Sequence, residues 1–377
     1  AADPQHPVGE HMTALGVDAE LGLVDRGEGE VHEPAVRVAP RPVGQDRPRD
    51  RDAVPEDERQ QVGAEELVRV GEQFGDDLNT IAGTADGQRG AIVTMASVAA
   101  FVGLAPGGPI NTPMRVSSWP QFERLYTAPA EPDAGPYVSG GYLAHAVYGF
   151  LQNGGSNCWV VRIGSGTRAD QSERKPVALS EGLAALADIR SISIVCAPDI
   201  SASSDELADA SPDEFVHTLV EHCEAAGNRV AILDPPTALS PDDLLDWRTN
   251  VAGDDSTSAA LYYPWIEVMD PLSEQPMLVP PSGHVAGVWA RTANTWGAHR
   301  APSDATVLGA RRVAFEVGDE DQEHLDGAGV NTIRASSARG IRVWGARTLS
   351  SDPEWRYLNV RRAFTYIAES IEKGTRW

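Results

Sequence analysis

Short apolar runs rich in β-branched residues alternate with helical segments from residue 91 onward, and this alternation restricts the chain to few folds. The run AIVTMASVAAFVGLA ends at Pro106-Gly107-Gly108-Pro109, which indicates a strand followed by a turn. The later segment YLAHAVYGFLQ, which follows Ser139, has apolar residues at helical spacing and stops at Gly154-Gly155. A further strand, CWVVRI, comes next. This order predicts an α/β layer with a largely parallel sheet.

The same alternation continues through the middle of the chain. Two segments, SISIVCAPD and RVAILDPP, have the composition of buried strands. Helices are predicted to start at Ser211-Pro212 and Ser240-Pro241, because a serine cap, a first-turn proline and acidic residues favour the positive end of a helix. The segment AALYYPWIEV then predicts a strand pair or an extended region.

The last quarter predicts a helix over HVAGVWARTANTWG, a strand over RRVAFEV and two adjacent strands over GVNTIRAS and RGIRVWGARTL. A long helix is predicted to start at Asp352-Pro353 and to stop at Lys373-Gly374. Its apolar residues recur every three or four positions on one face, at Val360, Phe364, Ile367 and Ile371.

Residues 1–90 differ from the rest in composition. They are rich in Asp, Glu, Arg, Gly, Val and Pro, and they follow neither a strand nor a helix period, apart from one short helix predicted over residues 64–74. We expect an irregular or disordered N-terminal segment at 1–90, an α/β domain or domains at 91–280, and a C-terminal core domain at 281–377. The predicted fold class is α/β, with mixed sheets and flanking helices in two domains.

Net charge and cysteine content exclude several classes of protein. The formal charge is −24 and the pI is about 4.7, which disfavours general binding to nucleic acid or to anionic membranes. No apolar stretch approaches the roughly 18 residues that span a bilayer. Three cysteines without a pattern argue against a disulfide scaffold, and no secretion signal is visible, so we expect assembly in the cytoplasm.

Nucleotide-binding motifs are missing from the sequence. A phosphate loop needs a lysine after a glycine-rich turn, and neither Lys175 nor Lys373 follows one. Gly164-Ser165-Gly166 lacks the third glycine of a dinucleotide fingerprint and is interpreted as a surface turn.

Hydrolase and metal motifs are also missing. Ser139 and Ser282 come nearest to a G-x-S-x-G nucleophile turn, and neither fits it. Ser139 is predicted instead to cap the helix that follows it, and Ser282 to lie in a loop that leads into a helix. His217 and His222, five residues apart on one helix, point roughly 140° apart and cannot chelate one ion. We therefore expect no catalytic, cofactor-binding or metal-binding residues, and a chain that is not an enzyme.

The chain resembles contractile tail sheath proteins, first over VAAFVGLAPGGPINTPMRVSSWPQFERLY and GGYLAHAVYGFLQNGGSNCWVVRI. Such proteins form the outer tube of contractile phage tails, tailocins and extracellular contractile injection systems. The likeness is stronger over SGHVAGVWARTANTWGAHRAPSD and RGIRVWGARTLSSDPEWRYLNVRR, and the second motif is highly specific. It covers residues 91–377, is weaker between about 165 and 275, and is absent before 90.

The resemblance implies a structural subunit that stacks in rings or a helical array around an inner tube and ejects that tube by a rigid-body rearrangement of the lattice. The implied partners are other copies of the chain, an inner tube protein, and baseplate and cap proteins, with no nucleic acid, no direct membrane insertion and no cofactor. The alternatives are a sheath-like cap or baseplate component of the same machine, or an unrelated α/β hydrolase-type enzyme.

The sequence departs from the family at both ends. The short N-terminal arm resembling S-P-G-V-Y-V-E-E is not found, and the family continues with strands beyond the position of the final GTRW. The C-terminal domain is therefore predicted to be truncated; the other interpretations are a misread N-terminal segment or a variant with altered assembly.

The C-terminal block also holds a basic cluster and several tryptophans in an otherwise acidic chain. The arginines fit either internal salt bridges or contacts with an acidic neighbour or the inner tube, and the tryptophans fit either core packing or interface anchors. We predict six candidate assembly residues: Arg342, Trp344, Arg347, Trp355, Arg361 and Arg362.

Overall fold

The computed structural model describes residues 97–164, 176–201, 212–250 and 255–375, and all structural statements here concern those residues. The irregular segment predicted at 1–90, with its short helix, lies outside them. So do Ser211 and most of the glycine turn that begins at Gly164.

Short strands and helices alternate along the described chain. The strands are β1 Val98–Leu104, β2 Met114–Val116, β3 Cys158–Gly164, β4 Ile192–Cys196, β5 Val230–Leu233, β6 Ala259–Tyr263, β7 Ile266–Met269, β8 Pro276–Val279, β9 Ala305–Thr306, β10 Arg312–Val313, β11 Val330–Ser336 and β12 Gly340–Val343. The helices are α1 Trp119–Tyr126, α2 Leu143–Gln152, α3 Pro176–Ala184, α4 Pro212–Ala226, α5 Pro241–Asn250, α6 Ser282–Trp296, α7 Asp319–Gly327 and α8 Leu358–Gly374.

A nine-stranded mixed sheet organises these elements in the order β2-β3-β1-β4-β5-β6-β11-β12-β9. The six strands from β3 to β11 run parallel, and β2, β12 and β9 pair antiparallel at the two margins. A smaller antiparallel sheet has the order β10-β7-β8. The predicted α/β class with a largely parallel sheet is confirmed.

Helices cover both faces of the large sheet, which explains why its central strands are apolar throughout. All seven residues of β1 are buried, and they alternate between two cores. Phe101 packs with α1, α2 and α6 on one face, whereas Val102 packs with α3, α4, α5 and α7 on the other. The side-chain period of two along a strand therefore supplies both cores from one segment.

Helices α2 and α6 pack closely because small residues lie where they cross. Gly149 of α2 lies against the ring of His284, and Gly283 and Gly287 of α6 lie against the backbone of α2. Eleven of the fifteen residues of α6 are buried, including Trp289, so this pair forms the interior of one helical layer. The α6 helix was predicted from the sequence and is confirmed.

Three local predictions were wrong. The last helix begins at Leu358 rather than at Asp352. Asp352 belongs to a separate turn, in which its backbone carbonyl oxygen accepts hydrogen bonds from the N–H groups of Trp355 and Arg356. The predicted strand over RRVAFEV shrinks to two residues. Ser139 does not cap α2, which begins after Tyr142, whose backbone N–H donates to the carboxylate of Asp199.

The large sheet contains strands from both of the proposed domains, with β1 to β6 from residues 91–280 and β9, β11 and β12 from 281–377. The division at residue 280 stays a prediction.

Candidate assembly interface

A buried amide organises the C-terminal block that carries the predicted assembly residues. Asn331 in β11 is fully buried. Its Nδ2 donates to the carbonyl oxygens of Leu261 at 3.1 Å and Arg347 at 2.8 Å, and its Oδ1 accepts from the Arg347 backbone N–H at 2.6 Å. A side chain at Gly345 would overlap this amide. The amide therefore joins β6, β11 and the loop that leads to α8.

We expect Asn331→Ala to destabilise the chain by about 2 kcal/mol, because it leaves buried backbone groups without partners. Chemical denaturation followed by tryptophan fluorescence measures the loss. Asn294→Ala, on the exposed side of α6, is the matched control. A loss at position 331 no larger than the control's would show that the amide is dispensable.

Two of the predicted arginines bind acidic side chains of their own chain. The Nε of Arg342 donates to Asp304 Oδ1 at 2.7 Å, and its Nη1 donates to Thr306 at 3.0 Å. Arg347 forms an ion pair with Asp326 at 2.6 Å, and its guanidinium lies 5.8 Å from the ring centre of Tyr357. Both side chains are mostly buried, so these arginines connect β12 and the following loop to neighbouring elements.

The other two arginines project from the inner side of α8. Arg361 donates to the carbonyl oxygen of Gly227 at 3.0 Å, and burial lowers its pKa. Arg362 is 5% exposed, donates to Ser97 Oγ at 2.8 Å and lies over the ring of Trp289. Burial lowers the pKa of Arg362 to about 10, with an opposing effect from Tyr262. Both side chains hold α8 against the N-terminal edge of the large sheet.

The two predicted tryptophans occupy different environments. Trp344 is 42% exposed at the end of β12, and the guanidinium of Arg334 lies 5.3 Å from its ring centre. Trp355 is half-buried and contacts Phe364 of α8 edge-to-face at 5.1 Å between ring centres. The structure thus spreads the six predicted residues along one block, with the arginines turned inward and the tryptophans reaching the surface. Their role in assembly stays a prediction.

Helix α8 places its apolar face outward. Phe364 is 48% exposed and Ile371 is 40% exposed, and Val360 and Ile367, on the same face, are half-buried. We call Val360, Phe364, Ile367 and Ile371 the α8 stripe.

The inner side of α8 carries polar contacts instead. Asn228 donates to Glu369 at 2.8 Å, and Arg190 donates to Glu372 at 2.8 Å. Helical spacing in the sequence correctly predicted that the four apolar residues share one face of α8. It did not predict that this face is exposed to solvent. The sequence did contain a signal for this orientation, because Arg361, Arg362 and Glu369 lie on the opposite face, where they contact the rest of the chain.

Carboxylates at the C-terminal ends of the parallel strands bind backbone groups. Active sites of α/β enzymes commonly lie at this edge. Here Asp199 accepts hydrogen bonds from the backbone N–H groups of Leu104 and Tyr142, and Asp234 accepts one from Ser282 at 2.9 Å. These contacts fix the starts of α2 and α6. Burial raises the pKa of Asp234 to about 7.

Within the described ranges, no three His, Cys, Asp or Glu side chains are grouped so that they could hold a metal ion. In the same part of the chain, no helix has the length and apolar character needed to cross a bilayer.

Comparison with known proteins supports the resemblance found in the sequence. Residues 174–349 match the model of the phage tail sheath protein central domain. Over this part the chain is similar to contractile tail sheath proteins. The match includes the stretch from 174 to 275, where the resemblance in the sequence was weaker.

Proteins of known sequence and structure show the same similarity. A protein described as a putative prophage major tail sheath protein of Pseudomonas aeruginosa is 28% identical over 173 residues, which cover 44% of this chain and 43% of that protein. The tail sheath protein of Salmonella phage ViI is 26% identical over 134 residues, or 34% of this chain and 21% of that one. The helical sheath of the anti-feeding prophage in its contracted state has a TM-score of 0.57 at 25% identity, covering 74% of this chain and 70% of the other.

The chain therefore spans less than half the length of the curated relatives that it matches.

Proposed function

We propose that this chain is a structural subunit of the contractile sheath that surrounds the inner tube of a phage-tail-like particle. The observation that carries the proposal is the joint match to the sheath central domain and to a helical sheath structure. Copies in such a lattice exchange one set of contacts for another, and each copy moves nearly as a rigid body, so the sheath itself needs no nucleotide. The rearrangement ejects the tube.

The site geometry supports a role without catalysis. Asp199 and Asp234, at the edge where an α/β enzyme would place its reactive groups, hold backbone N–H groups at helix starts. An unrelated α/β hydrolase is therefore the weaker alternative. The other alternative is a sheath-like cap or baseplate component of the same machine, which would use the same domain in fewer copies.

The partners that we propose are other copies of the chain in stacked rings or a helical array, an inner tube protein, and baseplate and cap proteins. Assembly would take place in the cytoplasm, and the chain would become part of a phage tail or a related particle. Neither nucleic acid nor direct insertion into a membrane has a place in this function.

Sedimentation and negative-stain electron microscopy of the purified chain test the proposal. We expect association that grows with protein concentration, and rings or tubes with an open lumen at high concentration. A chain that stays monomeric at every concentration and carries a bound small molecule would contradict a sheath function. Closed single rings that never stack would favour the cap or baseplate alternative.

A further inference from the structure

A second exposed apolar surface lies on the small sheet, on the face turned away from the core. Ile266, Val268, Val279 and Val313 line the inner face and are buried. On the outer face, strand pairing sets Arg312, Glu267 and Leu278 in one row and Met269 and Pro276 in the next.

The apolar members of this outer face are open to solvent. Leu278 is 40% exposed, Met269 is 41% exposed, and Leu272 in the adjoining turn is 55% exposed. We call Arg312, Glu267, Leu278, Met269 and Pro276 the small-sheet face.

This face and the α8 stripe lie at opposite edges of the large sheet. Helix α8 contacts residues that precede parallel strands, namely Ser97 before β1, Gly227 before β5 and Ser258 before β6. Two residues separate the end of β6 from the start of the small sheet, and Trp265 donates to the carbonyl oxygen of Pro235, just beyond β5. The parallel strands separate the two surfaces, so they cannot cover each other within one copy.

The two surfaces match in size and in chemistry. The α8 stripe spans eleven residue steps, about 16 Å at 1.5 Å per residue. The small-sheet face is roughly 13 Å long, from four residues at about 3.3 Å, and about 10 Å wide across three strands. A helix lying on a sheet is a standard way to bury two apolar faces.

The α8 stripe has an acidic margin near its N-terminal end. Glu354 is exposed and directly precedes Trp355, whose ring contacts Phe364 of the stripe. This margin therefore presents a negative charge to anything that docks on the stripe.

The small-sheet face has a basic margin. Arg312, on β10, and Arg311, which directly precedes it, are both exposed. Arg311 also contacts the sulfur of Met269, which places its guanidinium at the border of the apolar surface. Opposite charges at the margins of two surfaces favour their encounter and fix the orientation in which they meet.

We infer that the α8 stripe of one copy docks on the small-sheet face of the next copy. A different surface of each copy then meets at every contact. Because the two surfaces lie at opposite edges of the large sheet, the contact is head-to-tail and leaves one free surface at each end. Such a contact propagates into an open array when it does not close into a ring. The inference rests on the proposed sheath function and specifies one contact within it.

Paired substitutions test the contact directly. Phe364→Asp and Leu278→Asp each place a charge in one of the two surfaces, and each is expected to weaken self-association at least tenfold in sedimentation experiments. Because each variant keeps the other surface intact, an equimolar mixture is expected to form heterodimers that grow no further. Trp296→Asp, at a 67% exposed position outside both surfaces, is the control and should associate like the unmodified chain.

A charge exchange provides a second, independent readout. Glu354→Arg and Arg311→Glu are each expected to weaken association, and the chain that carries both should recover most of it. Circular dichroism of every variant shows whether the fold is kept, and these surface charge changes are expected to leave it intact.

The outcomes separate this inference from the function on which it rests. If the unmodified chain assembles and both aspartate variants assemble equally well, the sheath function stands and the contact is wrong. If the mixture of the two aspartate variants shows no heterodimers, the contact is also wrong. A chain that never associates contradicts both.

Discussion

We expect Asp234→Asn to be more stable than the unmodified chain above pH 7, and to lack the contribution of Asp234 that favours unfolding as the pH rises from 4 to 7. The carboxyl of Asp234 is 7% exposed and lies at the start of the buried helix α6, where it accepts the backbone N–H of Ser282. Burial raises its pKa from 3.8 to about 7. An asparagine can accept the same hydrogen bond without a charge.

The sign follows from proton binding by the two states. Below pH 3.8 the carboxyl of Asp234 is protonated in both the folded and the unfolded state. Between pH 3.8 and 7 the unfolded chain releases this proton and the folded chain keeps it, so rising pH favours unfolding. A shift of about three pH units corresponds to about 4 kcal/mol, all of it lost once the pH exceeds the folded-state pKa.

Two buried histidines change the free energy of unfolding with pH in the opposite direction. Burial lowers the pKa of His284 to about 4 and that of His222 to about 4, so the unfolded state binds protons that the folded state refuses between pH 4 and 6.5. The difference in unfolding free energy between the unmodified chain and Asp234→Asn cancels these contributions. That difference, measured by denaturation at a series of pH values from about 4 to 8, is the test.

A second carboxyl provides a control of opposite sign. Asp255 accepts hydrogen bonds from the backbone N–H and the hydroxyl of Ser351, and these bonds lower its pKa. Asp255→Asn should therefore reduce stability at neutral pH. If Asp234→Asn also reduces stability at pH values above the folded-state pKa of Asp234, then burial of the ionised Asp234 carboxylate does not destabilise the folded chain.

We expect Gly283→Ala to destabilise the chain by about 3 kcal/mol, although alanine is the better helix former by about 0.5–1 kcal/mol. A methyl group at this position would overlap the Cα and the carbonyl oxygen of Ala146 in α2. Backbone atoms cannot rotate aside as a flexible side chain can. Helices α2 and α6 would have to separate, which loosens the layer around Trp289. Thermal and chemical denaturation measure the effect.

The control for Gly283 is Gly327, near the end of α7. A methyl group added to Gly327 would meet no other atom within 4 Å. Gly327→Ala should therefore leave stability unchanged or raise it slightly through helix propensity. Equal effects at the two positions would show that helix crossing does not limit residue size at Gly283.

Close packing of this kind bears on the proposed function. A lattice that rearranges by rigid-body movement needs subunits whose cores stay folded while the contacts between subunits change. The α2–α6 crossing and the Asn331 hydrogen bonds hold different parts of the large sheet to its neighbours. Variants that loosen either one are expected to weaken assembly through folding, whereas the α8 and small-sheet variants should weaken it with the fold intact.

Much of the architecture could be predicted because it depends on local patterns. The apolar run that contains β1, the helix at Ser240-Pro241 and the two strands around residues 330–343 all have lengths and periods that belong to one kind of element. Ser240 also caps its helix as predicted, by accepting the backbone N–H of Asp243 at 3.2 Å. Motifs in the C-terminal block carried the resemblance to tail sheath proteins.

The surroundings of the predicted assembly residues were decided by contacts between distant parts of the chain. Arg342 meets Asp304, Arg361 meets Gly227, and Arg362 meets a serine 265 residues away. No spacing in the sequence encodes such pairs.

The orientation of α8 was decided in the same way. A period of 3.6 residues shows that Phe364 and Ile371 share a face, but not whether that face meets the core or the solvent. The sequence by itself determined the elements and the resemblance to tail sheath proteins. Only the tertiary structure determined which surfaces remain uncovered, because burial is a property of the packed chain and not of any one segment.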